Sequence, residues 1–137
     1  MFDHDQAERL PVQECMRLLG ETPIGRVAFT DQTLPAVAPM NFAVDGDCVI
    51  VRTRGSSKFL TAVHESVVAF QADKIDVDRS CGWSVTGVGH AEVVTDAEDI
   101  ARFSSLSLHA WGSDSTSRFV RIRLEAVWGR RVGVASG

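Results

Sequence analysis

With 137 residues, 45% of them hydrophobic and 23% charged, the chain has the composition of one folded domain around one core, which excludes a disordered or fibrous protein. A formal net charge of −4 argues against general attraction to nucleic acid or to an anionic membrane. No stretch approaches the roughly 20 apolar residues that cross a bilayer, and the polar start Met1-Phe2-Asp3-His4-Asp5 lacks a signal-peptide layout, so a cytoplasmic protein is expected.

Residues 1–10 are expected to be a loosely ordered lead, and residues 11–137 a single domain. Pro11 suits a first helical turn, where a missing N–H costs nothing, and Val12, Cys15, Met16, Leu18 and Leu19 supply the apolar stripe of a helix that Gly20 stops. The period then changes to two. Val27 and Phe29 alternate with Arg26 and Thr30, Asp31-Gln32-Thr33 makes a turn, and a second strand runs from Leu34 to Val44. Pro35 and Pro39 confine that strand to an edge or a bulge, because neither can donate to a ladder. Asp45-Gly46 signals a hairpin into the strand Cys48–Thr53.

After Arg54-Gly55-Ser56-Ser57 a two-turn helix is predicted from Lys58 to His64. Val67–Ala72 reads as a strand buried on both faces, Asp73–Ser80 as a charged loop, and Gly82–Val94 as a long strand with a bulge near Gly87 and Gly89. Thr95-Asp96-Ala97-Glu98 has the spacing of a capping box for a helix that ends near Leu106–Leu108. A serine-rich loop around Trp111 leads to a last strand, Phe119–Val127, in which Val120, Ile122 and Leu124 alternate with Arg121, Arg123 and Glu125. The order α-β-β-β-α-β-β-α-β predicts a mainly β (α+β) protein: a six-stranded antiparallel barrel with a few short helices.

The three cysteines Cys15, Cys48 and Cys81 are an odd number without CxxC spacing, and are expected reduced and mostly buried. The histidines His4, His64, His90 and His109 form no HxxxH or HExxH pattern, so no metal site is expected. The chemistry concentrates in Arg52-Thr53-Arg54-Gly55-Ser56-Ser57-Lys58, where a strand end, a glycine turn, two serines and flanking cations meet a helix start. N–H groups, hydroxyls and cations together suit a monophosphate. The same residues also fit a plain serine cap with solvated charges. Pro39-Met40-Asn41-Phe42 interrupts a ladder and leaves backbone groups for the polar edge of a planar ring, or is simply an edge strand. Trp83 offers a flat apolar surface, or core packing.

Together these segments resemble the pyridoxamine 5'-phosphate oxidase-like superfamily of flavin-binding split barrels, in its small single-domain form. The likeness rests on Pro23–Phe29, Pro35–Phe42, Arg52-Thr53 with Gly55–Lys58, Val67–Phe70, Gly82–Val85, Phe119–Ile122 and Trp128–Arg131, in that order. It implies a homodimer with two FMN molecules at the subunit interface. Arg52, Thr53, Ser57 and Lys58 would hold the phosphate, and Pro39, Met40, Asn41 and Phe42 would line the isoalloxazine. Trp83, Ser84 and Val85 would approach it from the other subunit, and Arg131 would stand at the rim.

The implied activity is that of an FMN-dependent oxidoreductase on a small molecule. Vitamin B6 oxidation is not expected, because a second phosphate-binding cluster is missing. A reductase using a deazaflavin coenzyme, with Arg54 and Arg79 as extra cations, and a non-enzymatic flavin carrier or sensor are the alternatives. No catalytic side chain is assigned; His90 and His109 are candidates only for a proton.

Overall fold

The computed structural model describes residues 8–55, 57–106, 108 and 117–133. Its elements are β1 (Glu8–Leu10), α1 (Val12–Leu19), β2 (Ile24–Asp31), β3 (Leu34–Asp45), β4 (Cys48–Arg54), α2 (Lys58–Val63), β5 (Ser66–Asp76), β6 (Cys81–Val93), α3 (Ala97–Ser104) and β7 (Ser117–Val132). All strand pairings are antiparallel, in the order β1-β7-β4-β3-β2-β5-β6, and β6 pairs back onto β7. Six strands therefore close into the expected barrel, and β1 adds a seventh beside β7.

The inner row is set by strand alternation. Val27, Met40, Phe42, Val49, Val51, Val68, Phe70, Ala72, Trp83, Val85, Val120, Ile122 and Leu124 fill the barrel. The helices α1 and α2 plug opposite ends with Cys15, Leu18 and Leu19 at one and Phe59 and Val63 at the other. A second core lies outside the wall, where Phe103 of α3 packs on Cys48, Ile50 and Phe119. Neighbouring residues of β4 thus serve two different cores.

Several boundaries differ from expectation, each for a local reason. Residues 8–10 of the expected lead form β1, in register with Gly129–Arg131, while residues 1–7 lie outside the described part. Pro11 stands one place earlier than predicted, as N-cap with ψ 154°. Asp96, not Thr95, caps α3, its carboxylate accepting from the Asp99 N–H at 3.0 Å. Residues 73–76 belong to β5, because β6 supplies each with a partner down to Asp76↔Cys81. The predicted bulge lies between Val88 and Gly89, with Val88↔Ala126 followed by Gly89↔Leu124. The extra residue, Glu125, is on β7, and beyond it the inward parity of that strand reverses.

Candidate functional site

The expected phosphate segment sits at the α2 end of the barrel. Thr53 is the only buried polar residue among those described, and its Oγ1 lies 3.2 Å from Ser57 Oγ. Ser57 caps α2 by accepting the Leu60 N–H at 3.2 Å, which leaves one hydroxyl proton of the pair without a partner among the described residues. Lys58 is exposed beside them and Ser56 lies outside the described residues. Helix α2 has six residues, too short for its dipole to carry an anion site, so the hydroxyls and side-chain cations matter most.

Next to this pair the wall opens. The β3–β4 ladder ends at Phe42↔Val51, although β3 continues back to Leu34 along β2 and β4 continues to Arg54 along β7. Pro35 and Pro39 occupy this one-sided stretch, where a missing donor is tolerated. Met40 and Phe42 face inward and are buried; Pro39 is exposed and Asn41 half-buried on the opposite face. Across that gap the Pro39–Asn41 stretch of β3 and Thr53 of β4 are not ladder partners, and the Phe42 N–H is already taken by the Pro23 carbonyl at 3.1 Å.

Arg52 departs from this group. Adjacent strand residues face opposite sides, and Arg52 lies on the α3 side with Phe119. Its Nε donates to Ser117 Oγ at 2.8 Å and its Nη1 to the Leu108 carbonyl at 2.9 Å, with the guanidinium 5.3 Å from the Phe119 ring centre. The same face is tied down by α3, where Asp99 accepts from Arg121 at 2.6 Å and from Arg102 at 3.2 Å. Those arginines, Arg121 first, hold the Asp99 carboxyl below its ordinary value.

The remaining predicted residues lie at the other end. Trp83 and Val85 are buried in the barrel core, and only Ser84 of that trio faces outward. Around Ser84 an open pocket of ≈ 330 Å³ is lined by Ile75, Thr86, Trp128 and Arg130. Arg131 lies on the other face, 3.3 Å from Glu14 of α1. Sequence reasoning missed Trp128 and Arg130, because the parity reversal at Glu125 decides which β7 residues face out, and Thr86, which follows Ser84 on the outward row of β6. His90 pairs with Glu125 at 2.8 Å on the surface, and His109 lies outside the described residues. Among the described residues no helix is long and apolar enough to cross a membrane, and no His, Cys, Asp and Glu group could hold a metal.

A closed six-stranded antiparallel barrel with one parted seam and a hydroxyl-lined mouth defines a class of small split barrels. Residues 11–131 match the family described as pyridoxamine 5'-phosphate oxidase, and the chain belongs to that family. It is 43% identical over 124 residues to an uncharacterized protein of Mycobacterium tuberculosis, Rv0080, covering 87% of this chain and 81% of that one. The FAD binding protein from Mycobacterium smegmatis is 31% identical, with TM-score 0.79 over 92% of this chain and 98% of the other. A solved structure from Corynebacterium glutamicum is 27% identical, with TM-score 0.81 over 93% and 99%.

Proposed function

We propose that the chain is an FMN-binding flavoprotein that acts as a homodimeric oxidoreductase on a small molecule. The observation that carries this is the parted β3–β4 seam with the Thr53–Ser57 hydroxyl pair at its mouth. Thr53, Ser57 and Lys58 would hold the terminal phosphate through hydroxyl and charge-assisted bonds. Pro39, Met40, Asn41 and Phe42 would line the ring system, its polar edge met by backbone groups of β3 that do not bond β2; the Phe42 N–H is taken by the Pro23 carbonyl at 3.1 Å. Bound flavin would supply the electron-transfer chemistry, while the barrel provides orientation and shields one face from water.

A length argument supports a second copy. Strand β7 places Arg118 beside Thr53 and Arg130 beside Ser84, 12 residues apart by their numbers. At about 3.3 Å per residue that is roughly 35–40 Å. One flavin mononucleotide cannot touch both ends of one chain, so Ser84 and its neighbours would serve the site of a partner. The outer wall suits such pairing: Val37 is 66% exposed, Val67 58% and Trp128 47%, with Ala28, Ala69 and Ala126 on the same face.

FAD is the second reading, because the Mycobacterium smegmatis relative is an FAD binding protein. A deazaflavin coenzyme gains less support: Arg54 ends β4 at one end of the barrel, and Arg79 lies on the β5–β6 hairpin at the other. Purified protein should be yellow and elute near twice the 14.9 kDa chain mass. Titration of stripped protein with FMN and FAD should show tighter binding of FMN. The double substitution Ser57→Ala, Lys58→Ala should weaken FMN by at least about tenfold; unchanged titration would remove the assignment. Bleaching by NADH or NADPH without oxygen separates an enzyme from a carrier.

A further inference from the structure

On the cradle proposed above, Lys58 would be the one cation left once Arg52 is accounted for. Two of the donor nitrogens of Arg52 are committed to Ser117 and Leu108, and its side chain shares the α3 face with Phe119. A cation for the phosphate must instead share the face of Thr53. Register identifies it. In the β4–β7 ladder the inner pairs run Val49↔Ile122, Val51↔Val120 and then Thr53↔Arg118. The first two pairs are fully buried in the barrel, so the third lies on the same row, two residues nearer the mouth.

Directly opposed residues carry their Cβ atoms about 5 Å apart, so the Arg118 stem starts beside Thr53 and its guanidinium reaches solvent at that mouth. Arg118 is exposed, and among the described residues its side chain makes no hydrogen bond or ion pair. That contrasts with two other arginines of the same strand: Arg121 is held by Asp99 and Glu92, and Arg131 by Glu14. An arginine held on a strand next to two hydroxyls, with its fork unspent, has the geometry for two parallel bonds to phosphate oxygens.

We propose that Arg118 is the second cation of the phosphate site, and that Arg52 is a positioning residue that fixes β4 against the Ser117 end of β7 without contacting the phosphate. The ligand is a phosphate ester, whether the monoester of FMN or the diphosphate of FAD. The proposal rests on the flavin reading for the ligand's identity, but not for its charge.

The test compares wild type, Arg118→Gln, Arg52→Lys and Arg52→Met by titrating each with riboflavin, FMN and FAD. Arg118→Gln should lose about tenfold or more in FMN affinity with riboflavin affinity unchanged, and a flattened salt dependence. FAD affinity falling in step with FMN places both on the same cation; FAD affinity unchanged confines the site to monoesters. The Arg52 variants should melt at a lower temperature and keep the wild-type ratio of FMN to riboflavin affinity, with Arg52→Lys partly restoring the melting temperature.

If Arg118→Gln keeps that ratio while wild type binds FMN, the Arg118 assignment is overturned and the flavin reading stands. If an Arg52 variant selectively loses FMN, the positioning role is overturned. Should wild type bind no flavin, inorganic pyrophosphate decides. Thermal stabilisation of wild type but not of Arg118→Gln keeps the cation assignment and ends the flavin reading; stabilisation of neither ends both.

Discussion

The substitution Gly89→Ala isolates the seam that closes the barrel. An added Cβ at Gly89 would lie 1.7 Å from the Arg123 carbonyl oxygen, 2.6 Å from its carbon and 3.0 Å from Leu124 Cα. Every one of these is backbone, so no side chain can rotate away. Restoring an ordinary carbon–oxygen contact of about 3.3 Å requires β6 and β7 to part by roughly 1.5 Å. That separation breaks about two ladder hydrogen bonds, worth about 1 kcal/mol each, on top of an overpacking cost of about 1–3 kcal/mol. The sum is about 3–5 kcal/mol, a large share of the 5–15 kcal/mol typical of a domain. For a chain of this length each kcal/mol moves the melting temperature by about 3–4 °C, so a fall of about 10 °C or more is expected. Thermal melts by circular dichroism measure it. Gly46→Ala is the control: nothing lies within 4 Å of its Cβ, and only its positive φ of 62° is strained. That strain costs about 1–2 kcal/mol. If Gly89→Ala melts no lower than Gly46→Ala, the close approach at the seam is not what the geometry indicates.

Asp99 should make the α3 clamp sensitive to acid. Its carboxyl is held low by Arg121 and Arg102, so its contribution is complete above the unfolded value of about 3.9 and disappears as pH falls through the lower folded value. The stability gap between wild type and Asp99→Asn, followed by denaturant unfolding, should be constant above about pH 5 and close below about pH 4; a gap undiminished at pH 2 would refute the pairing. The thiols should separate by reactivity. Burial raises Cys15 and Cys48, whereas Cys81 is partly exposed, so alkylation of native protein read by mass spectrometry should label Cys81 first. Labelling of Cys15 at the rate of Cys81 would contradict its full burial in the barrel core.

Most strands were legible because alternation is local. Val27 and Phe29 in β2, or Val120, Ile122 and Leu124 in β7, need only their own neighbours to declare a face. What a single strand cannot declare is its partner. Glu125 reads as one more polar position in an alternating run, and only pairing with β6 makes it the extra residue that reverses the parity beyond it. The expected strand ends at Val127, whereas the β6 ladder carries it on to Val132 and turns Trp128 and Arg130 outward. Residues 73–76 look like a charged loop for the same reason, since their ladder partners lie in a different segment.

The site shows the same division. Thr53 and Ser57 were identifiable because a hydroxyl, a glycine turn and a helix start lie close in sequence. Arg52 was grouped with them by adjacency, yet alternation sends it to the other face of β4, where Ser117 and Leu108 claim it. Trp83 and Val85 share that limit: a strand residue beside Ser84 is one whose side chain turns away from it. Asp96 shows it on the smallest scale, since Thr95 and Asp96 are both good caps and the turn geometry selects the second.

Strand β7 runs 16 residues, from the hydroxyl-lined mouth to the pocket around Ser84. In a two-fold pair each binding centre would then take its phosphate end from one copy and its opposite wall from the other. Damage at the two ends of β7 would complement: mixing subunits altered at Arg118 with subunits altered at Trp128 would yield heterodimers with one centre whole and the other doubly impaired. A single continuous ribbon would thus make neither centre the property of either subunit.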